Sequence, residues 1–103
     1  MSFLPELKMF LGKRGFIYTV RKYEMYTGAV EIEGVGTCWR TLVGLAPDQD
    51  YLKPYVRHSG FDSLEAWEEK IRFFIPDKAT KRYLYKVEVL DERETSRVLP
   101  VSD

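Results

Sequence analysis

Residues 62–76 read DSLEAWEEKIRFFIP, and this stretch carries the clearest helical pattern in the chain. Asp62 is followed three residues later by Glu65, a spacing that resembles a capping box, in which side chains satisfy the free backbone N–H groups of a helix start. Pro76 cannot continue a helix and ends the pattern. The apolar residues between them recur at helical spacing, as Leu64, Trp67, Ile71 and Phe74. We therefore predict an amphipathic helix that starts at Asp62 and packs its apolar stripe against a core.

Alternating apolar and polar residues predict strands on both sides of this helix. Before the helix, the alternation covers residues 16–23, 29–33 and 37–43, and after it residues 83–89. Gly34 and Gly36 bracket Val35 between the second and third of these strands, and a glycine inside a β pattern commonly marks a bulge or a sharp barrel corner. A curved sheet is therefore expected.

Two further segments have helical spacing. Residues 4–11 form a short amphipathic pattern that Gly12 closes, and residues 47–58 form a second pattern that Pro54 kinks or splits. The resulting order of helix, three strands, two helices and strand breaks the regular alternation of a parallel sheet. We predict an α+β fold, a small mixed or antiparallel β-barrel with two to three helices packed at its mouth.

Length and composition indicate a single domain over residues 1–103, with an acidic, frayed tail from about Asp91. At 45% hydrophobic residues the chain has enough apolar surface to fold without a metal, a cofactor or a disulfide. No secretion signal follows Met1, and no apolar run approaches the roughly 20 residues that span a bilayer. A cytoplasmic protein that does not contact membranes is expected.

The 16 Lys and Arg residues balance the 16 Asp and Glu residues, so the net charge of zero does not attract nucleic acid. Only a local basic patch can bind phosphates. Such a patch is predicted at residues 12–15, where Lys13 and Arg14 precede a strand that projects Thr19 and Arg21 from one face. Nearby rings and cations suit a single-strand binder, in which rings stack on bases and cations meet phosphates: Tyr18, Lys22, Tyr23, Tyr26, Trp39 and Arg40. The alternative is that these rings fill the core and the cations are solvated.

Catalytic or metal-binding interpretations have simpler competitors. Cys38 is the only cysteine and His58 the only histidine, so the sequence has no His/Cys spacing typical of a metal site. The two residues could form a nucleophile and its base, or they could be a buried thiol and a surface imidazole without a catalytic role. Asp48 and Asp50 can bind a cation, but capping of a helix start also explains them. The structural interpretation is the simpler one for the Cys38–His58 pair and for the Asp48–Asp50 pair.

Four short motifs follow one another along the chain: GK at 12–13, TVR at 19–21, GVG at 34–36 and SGFDSLEAW at 59–67. Together with the closing strand, they resemble the ASCH domains, which belong to the PUA-like barrels. The resemblance extends from about residue 11 to residue 90. It implies a small β-barrel whose cleft, between barrel and helices, binds RNA. Members of this family are linked to RNA modification, translation or transcription coactivation.

Carried over residue by residue, the resemblance implies that Lys13, Thr19 and Arg21 line this cleft and that Glu65 faces them. We therefore predict binding of RNA or a nucleotide-like ligand, with no metal, by six residues: Lys13, Arg14, Thr19, Arg21, Tyr23 and Arg40.

A hydrolase is the first alternative function. Some ASCH relatives hydrolyse acetylated cytidine with a Lys-x-x-Thr-x-Arg arrangement and a glutamate. In this chain Phe16 stands at the position of that lysine, whereas Thr19 and Arg21 match the Thr-x-Arg part of the arrangement. The alternative makes Thr19 a nucleophile that Lys13 or Glu65 activates, in hydrolysis of a nucleoside amide or in cleavage of RNA. A second alternative is a protein-interaction module with an exposed apolar patch and no basic cleft.

The chain contains no Asn and one Gln, Gln49, beside 31% charged residues, a bias typical of heat-tolerant proteins. We expect a melting midpoint above the about 45–65 °C common for mesophile domains, measured by circular dichroism. A midpoint inside that interval would contradict a thermophilic origin.

Overall fold

A computed structural model describes residues 3–90 of the chain. The predicted order of elements is confirmed: α1 Pro5–Arg14, β1 Phe16–Arg21, β2 Gly28–Ile32, β3 Gly36–Leu45, a 3-10 helix Gln49–His58, α2 Leu64–Phe74 and β4 Tyr83–Val89. The predicted tail from about Asp91 lies outside the described residues. Within them, no helix is long and apolar enough to cross a membrane.

The four strands form one antiparallel sheet in the order β1-β4-β3-β2. β4, the last strand in the chain, pairs with β1 on one side and with β3 on the other. β1 and β2 are therefore the two edges, and closing a barrel would require them to pair. The described residues form an α+β fold with an open sheet, and they do not close into the predicted barrel.

The bend in the sheet lies elsewhere than predicted. Gly34, with φ of +84°, belongs to the tight turn between β2 and β3, where the Val35 N–H donates to the carbonyl of Ile32. The break in pairing register lies in the second half of β3, between Leu42 and Gly44. A glycine in a strand pattern signals either a turn or a bulge, and only the pairing of the neighbouring strands distinguishes them.

Both α-helices have ends that differ from the sequence prediction. α1 continues past Gly12 to Arg14, because Gly15 is the residue that takes the left-handed conformation, with φ of +86°. α2 is capped by Ser63, whose hydroxyl accepts a hydrogen bond from the Ala66 N–H at 3.1 Å. Asp62 therefore lies before the cap, and Glu65 occupies the second helical position, one short of a capping box.

Helices cover both faces of the sheet. On one face, α1 packs over a core cluster in which the residues are almost completely buried: Leu11, Ile17, Ile32, Cys38 and Val87. On the other face, the 3-10 helix and α2 enclose a second cluster: Ala46, Leu52, Trp67, Ile71, Ile75 and Leu84. β4 contributes Leu84 to the second cluster and Val87 to the first, from its two opposite faces, as the period of two requires.

The turn before α2 joins the two layers at one edge of the sheet. The buried Ser59 hydroxyl donates to the carbonyl of Val56 at 2.8 Å and accepts from the Phe61 N–H at 3.1 Å. Gly60 has φ of +86°, and a Cβ atom at this position would lie 2.5 Å from Cδ2 of Leu7. A glycine is required because α1 approaches the backbone so closely. The SGF stretch therefore sets where Phe61 lies between α1 and α2.

A buried carboxylate fastens α2 to the start of β4. Glu68 is 6% exposed and accepts two hydrogen bonds from the guanidinium of Arg82, at 2.7 and 3.0 Å. Arg72, one turn later in α2, donates a third at 3.0 Å. Burial raises the pKa of Glu68, but hydrogen bonds from Arg82 and Arg72, together with their charges, outweigh burial and leave it below its usual value. The ion pair therefore stabilises the docking of α2.

We expect Glu68→Gln to lower the free energy of unfolding by about 3 kcal/mol, because it leaves the buried Arg82 guanidinium without its counter-charge. Exposed Glu69→Gln is the matched control and should change it by no more than about 0.5 kcal/mol. Urea unfolding followed by tryptophan fluorescence measures both.

The same pair predicts a pH dependence. Because the folded-state pKa of Glu68 is lowered, its contribution is complete above the ordinary glutamate pKa of about 4.3 and is lost as the pH falls below that value. The stability difference between wild type and Glu68→Gln should shrink in that acidic interval. A difference that stays constant to lower pH would exclude the ion pair as its source.

Candidate ligand-binding cleft

A cleft of about 680 Å³ opens at the end of β1, between α1 and α2. Its lining comes from the beginning of α1 and the residues just before it, the second half of β1, the loop over residues 22–27, Arg40 of β3, Phe61 in the turn before α2, and the inner face of α2. Ligand sites of small proteins commonly have this size. The volume suits a small-molecule ligand.

The inner end of the cleft is polar and lies on the sheet. Thr19 pairs directly with Tyr85 of β4, and Arg21 follows Thr19 on the same face of β1. Arg40 projects from that face of β3, where it pairs with Val87, and its guanidinium lies 5.8 Å from the centroid of the Tyr85 ring. Thr19 is 7% exposed and Arg40 is 5% exposed, so only a small ligand group reaches them. This end therefore combines a hydroxyl with two guanidinium groups.

The walls of the cleft are mainly apolar and aromatic. The aromatic lining residues are Phe3, Tyr23, Phe61, Trp67 and Phe74. The rings at the mouth are exposed, with Tyr23 at 66% and Phe74 at 55%. The neighbouring Phe73 packs edge-on against Phe74, with ring centroids 5.2 Å apart. Flat rings on opposing walls are suited to stacking against a planar ligand.

All charged residues that line the cleft within the described part of the chain are cations: Arg21, Lys22, Arg40 and Lys70. Burial lowers the pKa of Arg21, and the positive charge of Arg40 lowers it further, so the two guanidinium groups lie close enough to repel. The Arg21 guanidinium lies over the ring of Phe3, 4.9 Å from its centroid. In a chain of zero net charge, this local excess of cations favours an anionic ligand.

The wall formed by residues 22–27 is held in place by two side chains of the sheet. The hydroxyl of fully buried Tyr85 donates to the carbonyl of Tyr23 at 2.9 Å and accepts from the Met25 N–H at 2.5 Å. Nε of Arg40 donates to the carbonyl of Tyr26 at 3.1 Å. Both side chains bind loop backbone, so the sheet determines where Lys22 and Tyr23 stand at the mouth. Arg40 has this structural role in addition to its charge.

Four of the predicted site residues line the cleft, namely Thr19, Arg21, Tyr23 and Arg40. The other predicted residues do not: Lys13 and Arg14 are exposed in the last turn of α1, and Glu65 is exposed in the first turn of α2. Because α1 continues to Arg14, residues 12–14 form part of a helix instead of a loop that returns toward Thr19. The structure therefore does not bring Lys13 or Glu65 beside Thr19.

Three predicted stacking rings also lie away from the cleft lining, namely Tyr18, Tyr26 and Trp39. Tyr18 packs against Tyr55 of the 3-10 helix, with ring centroids 4.7 Å apart, and Trp39 pairs with Glu88 within the sheet. In their place, α2 supplies residues that were predicted as core or left unassigned: Trp67, Lys70, Ile71 and Phe74. Their spacing of three, four and seven residues marks one helix face, which is the signal that would have grouped Lys70 with them.

Cys38 and His58 are structural. The Cys38 thiol is completely buried, and burial, followed by the negative charge of Glu31, raises its pKa, which disfavours the thiolate that a nucleophile requires. His58 stacks on Phe16, with ring centroids 4.2 Å apart and planes 18° from parallel. Asp48 caps the 3-10 helix through a hydrogen bond from the Asp50 N–H at 2.9 Å. Over residues 3–90, no group of three or more His, Cys, Asp or Glu side chains can hold a metal.

The chemistry that the cleft offers is binding by charge, hydrogen bonding and stacking. Residues 3–90 place no Asp, Glu, His or Cys in its lining, so the usual general bases are absent from it. The Thr19 hydroxyl and the guanidinium groups supply donors at the inner end. A ligand with an anionic group and a planar apolar part matches these donors and the aromatic walls.

We expect Tyr85→Phe to loosen residues 22–26 without unfolding the sheet, because it removes only the hydroxyl that holds the loop backbone. Amide hydrogen exchange at Met25 should accelerate by about tenfold, the factor expected for the loss of one buried hydrogen bond. Tyr51→Phe, on the exposed face of the 3-10 helix, is the control and should leave Met25 unchanged. Unaltered protection of Met25 in Tyr85→Phe would show that the hydroxyl does not hold the loop.

Comparison of the chain with protein-family models, with curated proteins and with solved structures gives no match. The ASCH resemblance of the short motifs therefore remains a prediction from the sequence.

Proposed function

We propose that this chain is an ASCH-like domain, related to the PUA-like barrels, that binds RNA or another nucleotide-like ligand in the cleft at the end of β1. The observation that supports the proposal most directly is the charge of the lining. Arg21, Lys22, Arg40 and Lys70 line the cleft, and none of the described lining residues is acidic. Phosphate groups are the anions that arginine's planar fork and lysine's ammonium commonly bind.

The aromatic walls support a nucleobase as the other half of the ligand. Sequence-specific RNA binding mainly uses unpaired bases, which stack on aromatic side chains. One base stacked on a ring contributes about 1–3 kcal/mol, whatever its identity. Tyr23 and Phe74 are exposed at the mouth, and Trp67 lies farther inside, 2% exposed. The ring arrangement is thus suited to one base inside the cleft and stacking at its entrance.

A protein-interaction module is less well supported. That alternative requires an exposed apolar patch without a basic cleft. Phe73 and Phe74 are exposed, yet Lys70 lies over the Phe73 ring, 5.6 Å from its centroid, and also lines the cleft. The exposed rings are therefore accompanied by cations, which is the composition expected of a nucleic-acid surface.

The hydrolase alternative has one observation in its favour, the Thr19 side chain in the cleft lining next to Arg21. The two groups named as its activators, Lys13 and Glu65, do not line the cleft with it. Incubation with acetylated cytidine and with single-stranded RNA distinguishes the functions. Release of acetate or of RNA fragments would support a hydrolase, and unchanged substrates would support binding alone.

We expect wild-type protein to bind short single-stranded RNA with an affinity that falls as salt rises, by about 0.7 in log K per unit of log salt for each phosphate contacted. Arg21→Ala should weaken binding by about tenfold or more, because a charge-assisted hydrogen bond contributes that much. Fluorescence anisotropy with end-labelled RNA measures both effects.

Arg57→Ala is the matched control, since Arg57 is exposed on the 3-10 helix and does not line the cleft. Its affinity should equal that of wild type. Lys13→Ala tests whether the end of α1 extends the binding surface: a tenfold loss would place RNA along α1 as well. Absence of binding by the wild-type protein even at low salt would overturn the proposal.

A further inference from the structure

The four cations of the cleft lie at two depths. Arg40, at 5% exposure, and half-buried Arg21 line the cleft from the same face of the sheet, and the charge of Arg40 reaches Arg21 and lowers its pKa. Lys22 and Lys70 are exposed and come from opposing walls, the loop and α2. The lining therefore has an inner pair of guanidinium groups on the sheet and an outer pair of exposed ammonium groups. The two pairs can meet different groups of one ligand.

The inner pair is accessible only to a small group. Thr19 and Arg40 are both more than nine-tenths buried, and the sheet stands behind them. A strand that threads past this point with nucleotides on both sides would have to displace the α1 or sheet residues around it. A ligand end can enter from the mouth and stop at the inner pair.

Charge distinguishes an end from an internal position. A terminal phosphate monoester carries about −1.5 to −2 charges at neutral pH and has three acceptor oxygens, whereas an internal diester carries a single charge. Two neighbouring guanidinium groups repel, and a dianion between them relieves that repulsion more completely than a monoanion. The Thr19 hydroxyl adds a donor at the same end. The inner pair is therefore better suited to a monoester.

We propose that the cleft selects a terminal phosphate monoester, bound at Arg21 and Arg40, on a ligand whose base lies between the aromatic walls. This inference rests on the proposed nucleotide-binding function and names its ligand class more closely. The monoester can belong to a free nucleoside monophosphate or to the phosphorylated end of a single strand. Lys22 and Lys70 at the mouth then meet the next phosphate only when the ligand is a strand.

Wild-type protein can be titrated with four RNA probes by isothermal calorimetry. They are an octanucleotide of about eight uridines with a 5′-phosphate, the same strand with a 3′-phosphate, the same strand with hydroxyl groups at both ends, and uridine 5′-monophosphate. One phosphorylated end should bind at least about tenfold more tightly than the hydroxyl-ended strand, the factor of one charge-assisted hydrogen bond. This comparison needs no variant, so it does not depend on whether a variant folds.

Arg21→Lys keeps the charge and removes the planar fork. It should reduce the ratio between the affinities for the phosphorylated and the hydroxyl-ended strand, because only the phosphorylated strand presents a monoester to the fork. Lys22→Ala should weaken the phosphorylated strand by a larger factor than uridine 5′-monophosphate, because only a strand presents a second phosphate at the mouth. Tighter binding of a phosphorylated strand than of the monophosphate would indicate a strand end as the ligand, and equal binding would indicate the free nucleotide.

Equal affinity for phosphorylated and hydroxyl-ended strands would overturn the inference and leave RNA binding intact. Failure of all four probes to bind at low salt would overturn the proposed function itself. A preference for phosphorylated ends that persists unchanged in Arg21→Lys and Arg21→Ala would also overturn the assignment of the monoester to the inner pair.

Discussion

The insertion of β4 between β1 and β3 is the constraint on which the rest of the structure depends. β4 is the last described element of the chain, yet it is a central strand, so the sheet forms only when residues far apart in sequence pair. Its alternating side chains enter both core clusters. Because loop closure precedes these contacts, this pairing sets the entropic cost of folding. Once β4 is in place, both faces of the sheet have a core.

The same strand positions the cleft. Tyr85 lies beside Thr19 of β1, and its hydroxyl holds the backbone of the loop that forms one wall. Arg82, just before β4, holds Glu68 of α2 and thereby the opposite wall. Both walls are thus attached at the beginning of one strand. A buried hydrogen bond and a buried ion pair set the width of the cleft, since both are costly to break.

The cleft combines two kinds of groups. Its rings present flat faces that suit a planar ligand, and its cations attract anions. The cations are graded from buried arginines to exposed lysines. Arginine suits the inner position because its weakly hydrated fork loses less on burial than an ammonium. Lysine suits the mouth because its charge stays hydrated on a flexible stem.

Local patterns in the sequence determined the order of the elements and the bounds of β4, since helical and strand periodicity depends only on near neighbours. They also pointed to Thr19, Arg21, Tyr23 and Arg40, which line the cleft. The tertiary structure decided the rest: whether the sheet closes, which glycine ends α1, and whether Lys13 or Lys70 lines the cleft with Thr19. These depend on contacts between distant segments. A shift of three residues in the end of α1 was enough to keep Lys13 out of the cleft, and only packing specifies that shift.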